Sequence, residues 1–200
     1  VIDDLRASEG LTEKKAATYV DAAIHRVVYY AGWADKYVQV LGNANAVSGP
    51  FFNLSTPEPT GVVAIVAPSG PLLGLVSVIA PAMATGNTVV VIASEKYPVP
   101  AVTLSEVMAA PDVPGGVVST PTGAAGEIAP WLASHMDANA LDLAGVDDAA
   151  LAAELEVASA DNLKRVLRAP AGKVDWLAEP SLARLEAFVE TKTVWHPIGV

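Results

Sequence analysis

The chain has 200 residues, enough for one large domain or one domain with an appendage. Its formal net charge of −10 argues against a nucleic-acid or anionic-membrane surface, and the lack of cysteine excludes disulfides, thiolate metal sites and a Cys nucleophile. It is 52% hydrophobic, yet its apolar runs are short and cut by Gly, Pro or a charge, none near the roughly 20 residues that cross a bilayer, which predicts a soluble, cytoplasmic protein without a membrane partner.

The start, Val1-Ile2-Asp3-Asp4-Leu5-Arg6, carries acids where a signal peptide needs bases, and it lacks Met, so residues are expected upstream. Residues 3–41 read as helical: Thr12-Glu13-Lys14-Lys15 opens a run in which Ala17, Val20, Ala23, Ile24, Val27, Val28 and Ala31 recur at helical spacing. Tyr29, Tyr30 and Trp33 on this run read as core packing rather than a binding box. The polar stretch 42–49 ends it. Between prolines, Phe51-Phe52-Asn53-Leu54-Ser55-Thr56 reads as an edge strand or hairpin arm, since Pro cannot sit in a central ladder.

Apolar runs at 62–66, 88–92, 116–119 and 139–143 then alternate with helical patterns at 72–84, 99–110, 126–135 and 147–164. That alternation predicts an α/β fold, a Rossmann-like open parallel sheet with ligands bound outside the carboxyl ends of its strands. Residues 169–180 read as loop. The last segment, Phe188-Val189-Glu190-Thr191-Lys192-Thr193-Val194-Trp195, alternates as a half-buried strand. A long alternating strand of this kind is an exposed template unless something pairs with it, so an interface is the preferred reading over a core edge strand. His25, His135 and His196 lie far apart, without metal-ligand spacing.

Several segments resemble the aldehyde dehydrogenase family, in that family's order: Tyr29-Tyr30-Ala31-Gly32-Trp33-Ala34, Glu58-Pro59-Thr60-Gly61-Val62-Val63-Ala64-Ile65-Val66-Ala67-Pro68, and Ile79-Ala80-Pro81-Ala82-Met83-Ala84-Thr85-Gly86-Asn87-Thr88-Val89-Val90 with Ser94-Glu95 after it. Val113-Pro114-Gly115-Gly116-Val117-Val118 and Asp161-Asn162-Leu163-Lys164-Arg165-Val166 are also similar to it. The resemblance implies a division into an N-terminal helical segment (1–49), an oligomerisation hairpin arm (50–60) and a dinucleotide-binding-like domain (61–168). A linker replacing the catalytic domain (169–187) and a C-terminal oligomerisation strand (188–200) would follow.

Against that family's pattern the chemistry is missing. Aldehyde oxidation there needs a Cys thiolate, an oxyanion-stabilising Asn and a carboxylate base. The chain has no Cys, the loop that carries the Asn reads Pro68-Ser69-Gly70-Pro71, and the motif that carries the base reads Ala169-Pro170-Ala171-Gly172. The ribose-binding run reads Ile92-Ala93-Ser94-Glu95, so its Lys is lost. The phosphate turn reads Leu143-Ala144-Gly145-Val146, so its hydroxyl is lost, and Asp147-Asp148 follow as helix caps. Family glycines map to Ala125 and Ala129, while Gly123 is kept.

Vestigial cofactor contacts are thus implied at Val66, Ala67, Pro68, Ser94, Glu95 and Gly145, with no catalytic residue, no metal, and either no cofactor or weak NAD(P). Glu95 without the Lys reads as a capping or solvated residue. Gly145 stays open between phosphate approach and the geometry of a turn. The resulting expectation is a pseudoenzyme that assembles as a hetero-oligomer with a catalytic aldehyde dehydrogenase paralogue. An NAD(P)-binding regulator is the alternative, and an active aldehyde oxidoreductase ranks last.

Overall fold

The computed structural model describes residues 1–70, 72–109 and 113–199. Pro71 of the Pro68-Ser69-Gly70-Pro71 loop, the end of the helix expected over 99–110, and the last residue of the 188–200 unit lie outside the described residues. The helical run expected over 3–41 resolves into α1 (Ile2–Glu9), α2 (Glu13–Ala31) and α3 (Tyr37–Leu41). Thr12 caps α2, its side-chain oxygen accepting from the Lys15 N–H at 3.4 Å. Ala16, Ala23, Arg26 and Tyr30 face inward, while Ile24, Val27 and Val28 are exposed.

Next come β1 (Asn43–Asn45), which the polar 42–49 stretch concealed, and β2 (Phe51–Pro59). Then β3 (Val62–Val66), α4 (Leu73–Ala84), β4 (Thr88–Ile92), α5 (Val99–Met108), β5 (Val118–Ser119), α6 (Ala125–Ser134), β6 (Ala140–Asp142) and α7 (Ala149–Ser159) follow the expected alternation. A 3-10 turn (Ala160–Asn162) shortens the helix expected to 164. The chain then continues through β7 (Arg165–Leu167), α8 (Ala183–Ala187) and β8 (Val189–Pro197).

Five parallel strands in the order β5-β4-β3-β6-β7 form the main sheet. β3 and, from Val89 to Ile92, β4 are apolar on both faces because both are covered. Val63, Ile65, Val89 and Val91 pack under α4. Ala64, Val66, Ile92 and Leu141 pack under α6 and α7. α4 is apolar on nearly every side and buried accordingly, with α2 across its outer face. Each Leu, Ile or Val side chain so enclosed contributes about 1.5–3 kcal/mol of transfer free energy.

A second, three-stranded antiparallel sheet has the order β1-β2-β8. Of the two readings for this segment, the hairpin arm holds, since β2 pairs antiparallel with β1, and the edge strand does not, since β2 is central. The prolines are tolerated because β1 reaches only Asn53 to Ser55. Thr60 donates to the Phe188 carbonyl at 3.2 Å and Ile198 to the Pro50 carbonyl at 2.8 Å, both continuing the β2–β8 register. Alternation then makes Glu58↔Glu190, Thr56↔Lys192 and Leu54↔Val194 the mutually bonded pairs. Pro57 and Pro59 therefore turn their nitrogens away from β8, on the stretch that β1 does not reach.

The strand at the chain's end also differs from its expected form. Phe188 precedes β8 and is fully buried in the main core, and of β8 itself only Val189 is buried. Glu190 to Pro197 are exposed on both faces rather than half-buried.

Candidate functional site

The connections leave β3 in opposite directions, first toward β4 and later toward β6, so the switch point lies between the carboxyl ends of β3 and β6. A crevice of about 1030 Å³ opens there. The segment after β3 (Pro68, Ser69, Gly70), the turn after β6 and the stretch 168–174 all line it. The two positions where the resemblance puts an oxyanion Asn and a base thus meet in one place. Ser69 and Gly70 stand at the first, and the methyl of Ala169 at the second. The charged groups in the crevice come from elsewhere: Asp147, Lys173, and an ion pair between Arg168 and Glu156 at 3.1 Å.

Val66, Ala67 and Pro68 are buried at the end of β3, and Gly145 lies directly against them. The Gly145 N–H donates to the Val66 carbonyl at 2.9 Å. A Cβ added to Gly145 would sit 2.0 Å from the Ala67 oxygen and 2.9 Å from the Pro68 nitrogen. The position demands glycine because two backbones touch, and it does so without a positive φ.

Ser94 and Glu95 lie one strand further out, at the end of β4. The Ser94 hydroxyl accepts from the Tyr97 N–H at 3.3 Å. A Glu95 carboxylate oxygen accepts from Ala125 N–H at 3.4 Å, at the start of α6, whose own N-cap residue Ala124 has no side-chain acceptor. The six residues therefore form two groups, Val66, Ala67, Pro68 and Gly145 in one and Ser94 with Glu95 in the other.

Phosphates bind at helix N-termini through free N–H groups and the positive end of the dipole. At α7 that position is taken: Asp148 accepts from the Ala150 N–H at 2.8 Å, and Asp147 stands exposed beside it. A pyrophosphate at this helix start would meet the carboxylates of Asp147 and Asp148.

One buried group escaped the sequence reading. Asp142 ends β6 with no exposed surface. Burial pushes its carboxyl up to about 6, against the pull of Arg184 and of the Ala144 N–H, which donates to it at 3.0 Å. Arg184, on α8, forms an ion pair with Asp142 and lies over the Trp176 ring at 5.5 Å. The visible signal was one charge inside the apolar run Ala140-Leu141-Asp142-Leu143, which implies a buried partner. That partner comes from the segment read as a linker. Further bonds hold the segment down: Arg26 donates to the carbonyls of Trp176 and Ala178 at 2.8 and 2.9 Å, and Tyr30 to that of Ser181 at 3.0 Å.

Among the described residues, no helix is long and apolar enough to cross a membrane. The aldehyde dehydrogenase family model matches residues 3–191. The chain is 32% identical to a mitochondrial aldehyde dehydrogenase of Homo sapiens, covering 80% of this chain and 32% of that protein. It is 31% identical to an Omega-crystallin of Enteroctopus dofleini, covering 82% and 32%. A point mutant of the betaine aldehyde dehydrogenase of Staphylococcus aureus, solved in complex with NAD+, superposes with a TM-score of 0.74 at 26% identity, covering 82% of this chain and 32% of that one. The chain thus spans about a third of the length of these relatives. The order of the motifs, the parallel sheet and these matches agree: the chain belongs to the aldehyde dehydrogenase family.

Proposed function

We propose that the chain is a noncatalytic member of this family that serves as a structural subunit beside a catalytic aldehyde dehydrogenase. The observation that carries the reading is chemical. The chain has no thiol to form a thiohemiacetal, and the crevice presents a methyl at Ala169 where a base would have to activate water. The β2–β8 ribbon supports an assembly role. Phe52, Leu54, Val194 and Trp195 are exposed on it, and Phe51 meets Trp195 edge to face at 5.7 Å.

A second reading, a dinucleotide-binding regulator, draws on the size of the crevice and on the NAD+ complex of the Staphylococcus aureus neighbour. The carboxylates at the start of α7 argue for weak binding at most. Each missing charge-assisted hydrogen bond costs about 1.5–3 kcal/mol, one to two decades in affinity.

The test is to assay the purified chain with several aldehydes and NAD or NADP, and to titrate NAD calorimetrically. No turnover above a heat-killed control is expected, and no low-micromolar binding. Reproducible turnover would overturn the first reading, and tight binding without turnover would favour the second.

A further inference from the structure

The segment 169–187 is a wall of the crevice at one end and, through Trp176, Leu185 and Ala187, rests on the core at the other. Its first part lines the crevice from Ala169 to Val174, and Trp176 stands at the crevice margin. Its second part packs beside α4 on one face of the sheet and reaches the end of β6 through Arg184. Side chains alternate along a strand, so Asp142 shares its face with Ala140, which packs in the cluster that contains Phe188 and, against it, Trp176. The segment is therefore fastened on one side by Arg26 and Tyr30 of α2, and underneath by Arg184 on Asp142. The α2 contacts go to backbone carbonyls, which do not titrate. Only the fastening underneath carries an acid.

We propose that 169–187 is a pH-set cover of the crevice, docked more tightly when Asp142 is neutral and more loosely when it is ionised. Asp142 is wholly enclosed while the cover is down, and lifting the cover hydrates it. Arg184 is the one cation paired with it among the described residues. The strands beside β6 bring no acid or base against it: β3 (Val62–Val66) has none, and in β7 Arg165 is engaged with Glu190. α4 (Leu73–Ala84) has no charged side chain. From α2, Arg26 and Tyr30 face the cover itself. Burial raises the Tyr30 phenol, with Arg26 and Arg184 opposing, so it stays protonated throughout the range concerned. Arg168 is exposed and paired with Glu156 across the crevice.

The sign follows from linkage. Docked, Asp142 titrates near 6; hydrated, it returns toward 3.8. A carboxyl raised by docking favours the docked state fully below the lower value and loses that contribution as pH rises through the upper one. Between about pH 5 and pH 7.5 the docking equilibrium should therefore weaken about tenfold.

Hydrogen exchange of the whole chain, with each rate normalised to the intrinsic rate at that pH, reads this directly. Protection of 169–187 should fall about tenfold over that range, while β3 and β4 amides hold. Asp142→Asn keeps an oxygen for the Ala144 N–H but has no charge to gain, and its profile should be flat. Arg184→Met removes the attraction that lowers the carboxyl and should move the inflection to higher pH. A flat wild-type profile would overturn the proposal. So would a slope shared by every region, or an inflection that Arg184→Met leaves in place. The readout is the cover's own exchange, so it stands or falls apart from assembly or turnover.

Discussion

Gly145 shows how a residue can be marked by sequence for a reason only packing supplies. Phosphate approach and turn geometry both explain a glycine after a strand. The structure adds a third cause, the contact of the β6 turn with the backbone at Ala67 and Pro68. Gly145→Ala must push those backbones apart, which costs about 1–3 kcal/mol, the range for overpacking a close contact. Urea unfolding should show a lower midpoint at an unchanged slope. An unchanged midpoint would return the residue to a ligand role. Ser94 was legible as a residue after a strand, though its bond to the Tyr97 N–H was not. Asp142 was the residue most easily read past. Its neighbours satisfied the pattern of a buried strand, and its partner Arg184 lies 42 positions later, beyond any local rule.

The elements were legible wherever an apolar run was long enough to set a period. β3, β4, α4 and α6 stand where the pattern put them. β1, β7 and α8 have 3, 3 and 5 residues, too short for any periodicity to show. The edge reading of β2 failed because strand order depends on partners distant in sequence, and a proline rule sees only the strand that carries it. The ladder itself sets a test. Lys192 belongs to a mutually bonded pair with Thr56, so its N–H points at β2. Lys192→Pro should remove a central bond and loosen 51–59 and 189–197 in hydrogen exchange, leaving β3 and β4 protected, at a cost of about 1 kcal/mol or more. Lys192→Ala controls for the exposed ion pair with Glu58 at 2.8 Å, a contact of about 0–1 kcal/mol. Equal protection in the proline and alanine variants would mean that the inferred alternation is wrong.

At the scale of the molecule, the main sheet encloses its own core and the ribbon does not. Glu190 to Pro197 are exposed on both faces, and one edge of β8 has no partner among the described residues. Such an edge offers free N–H and C=O groups to another chain, and exposed aromatic residues beside it give that chain apolar area to cover. The ladder says which groups are on offer. Thr191 and Thr193 oppose Pro57 and Ser55 in the pairs that are not mutually bonded, so their N–H groups point outward. Thr191→Pro and Thr193→Pro therefore remove donors from the free edge while sparing the bonds to β2. If the proposed subunit docks by strand addition, these variants should lose the complex purified through this chain, seen as a shift to lower mass on size exclusion. Far-UV circular dichroism should change little, because the parallel sheet lies elsewhere. Lys192→Pro attacks the ribbon from the other side and should disturb both the β2–β8 pairing and the complex. If the two threonine variants retain the same partner at the same stoichiometry, the edge is not the docking element. If they unfold the chain, β8 is part of the folding core despite its exposure.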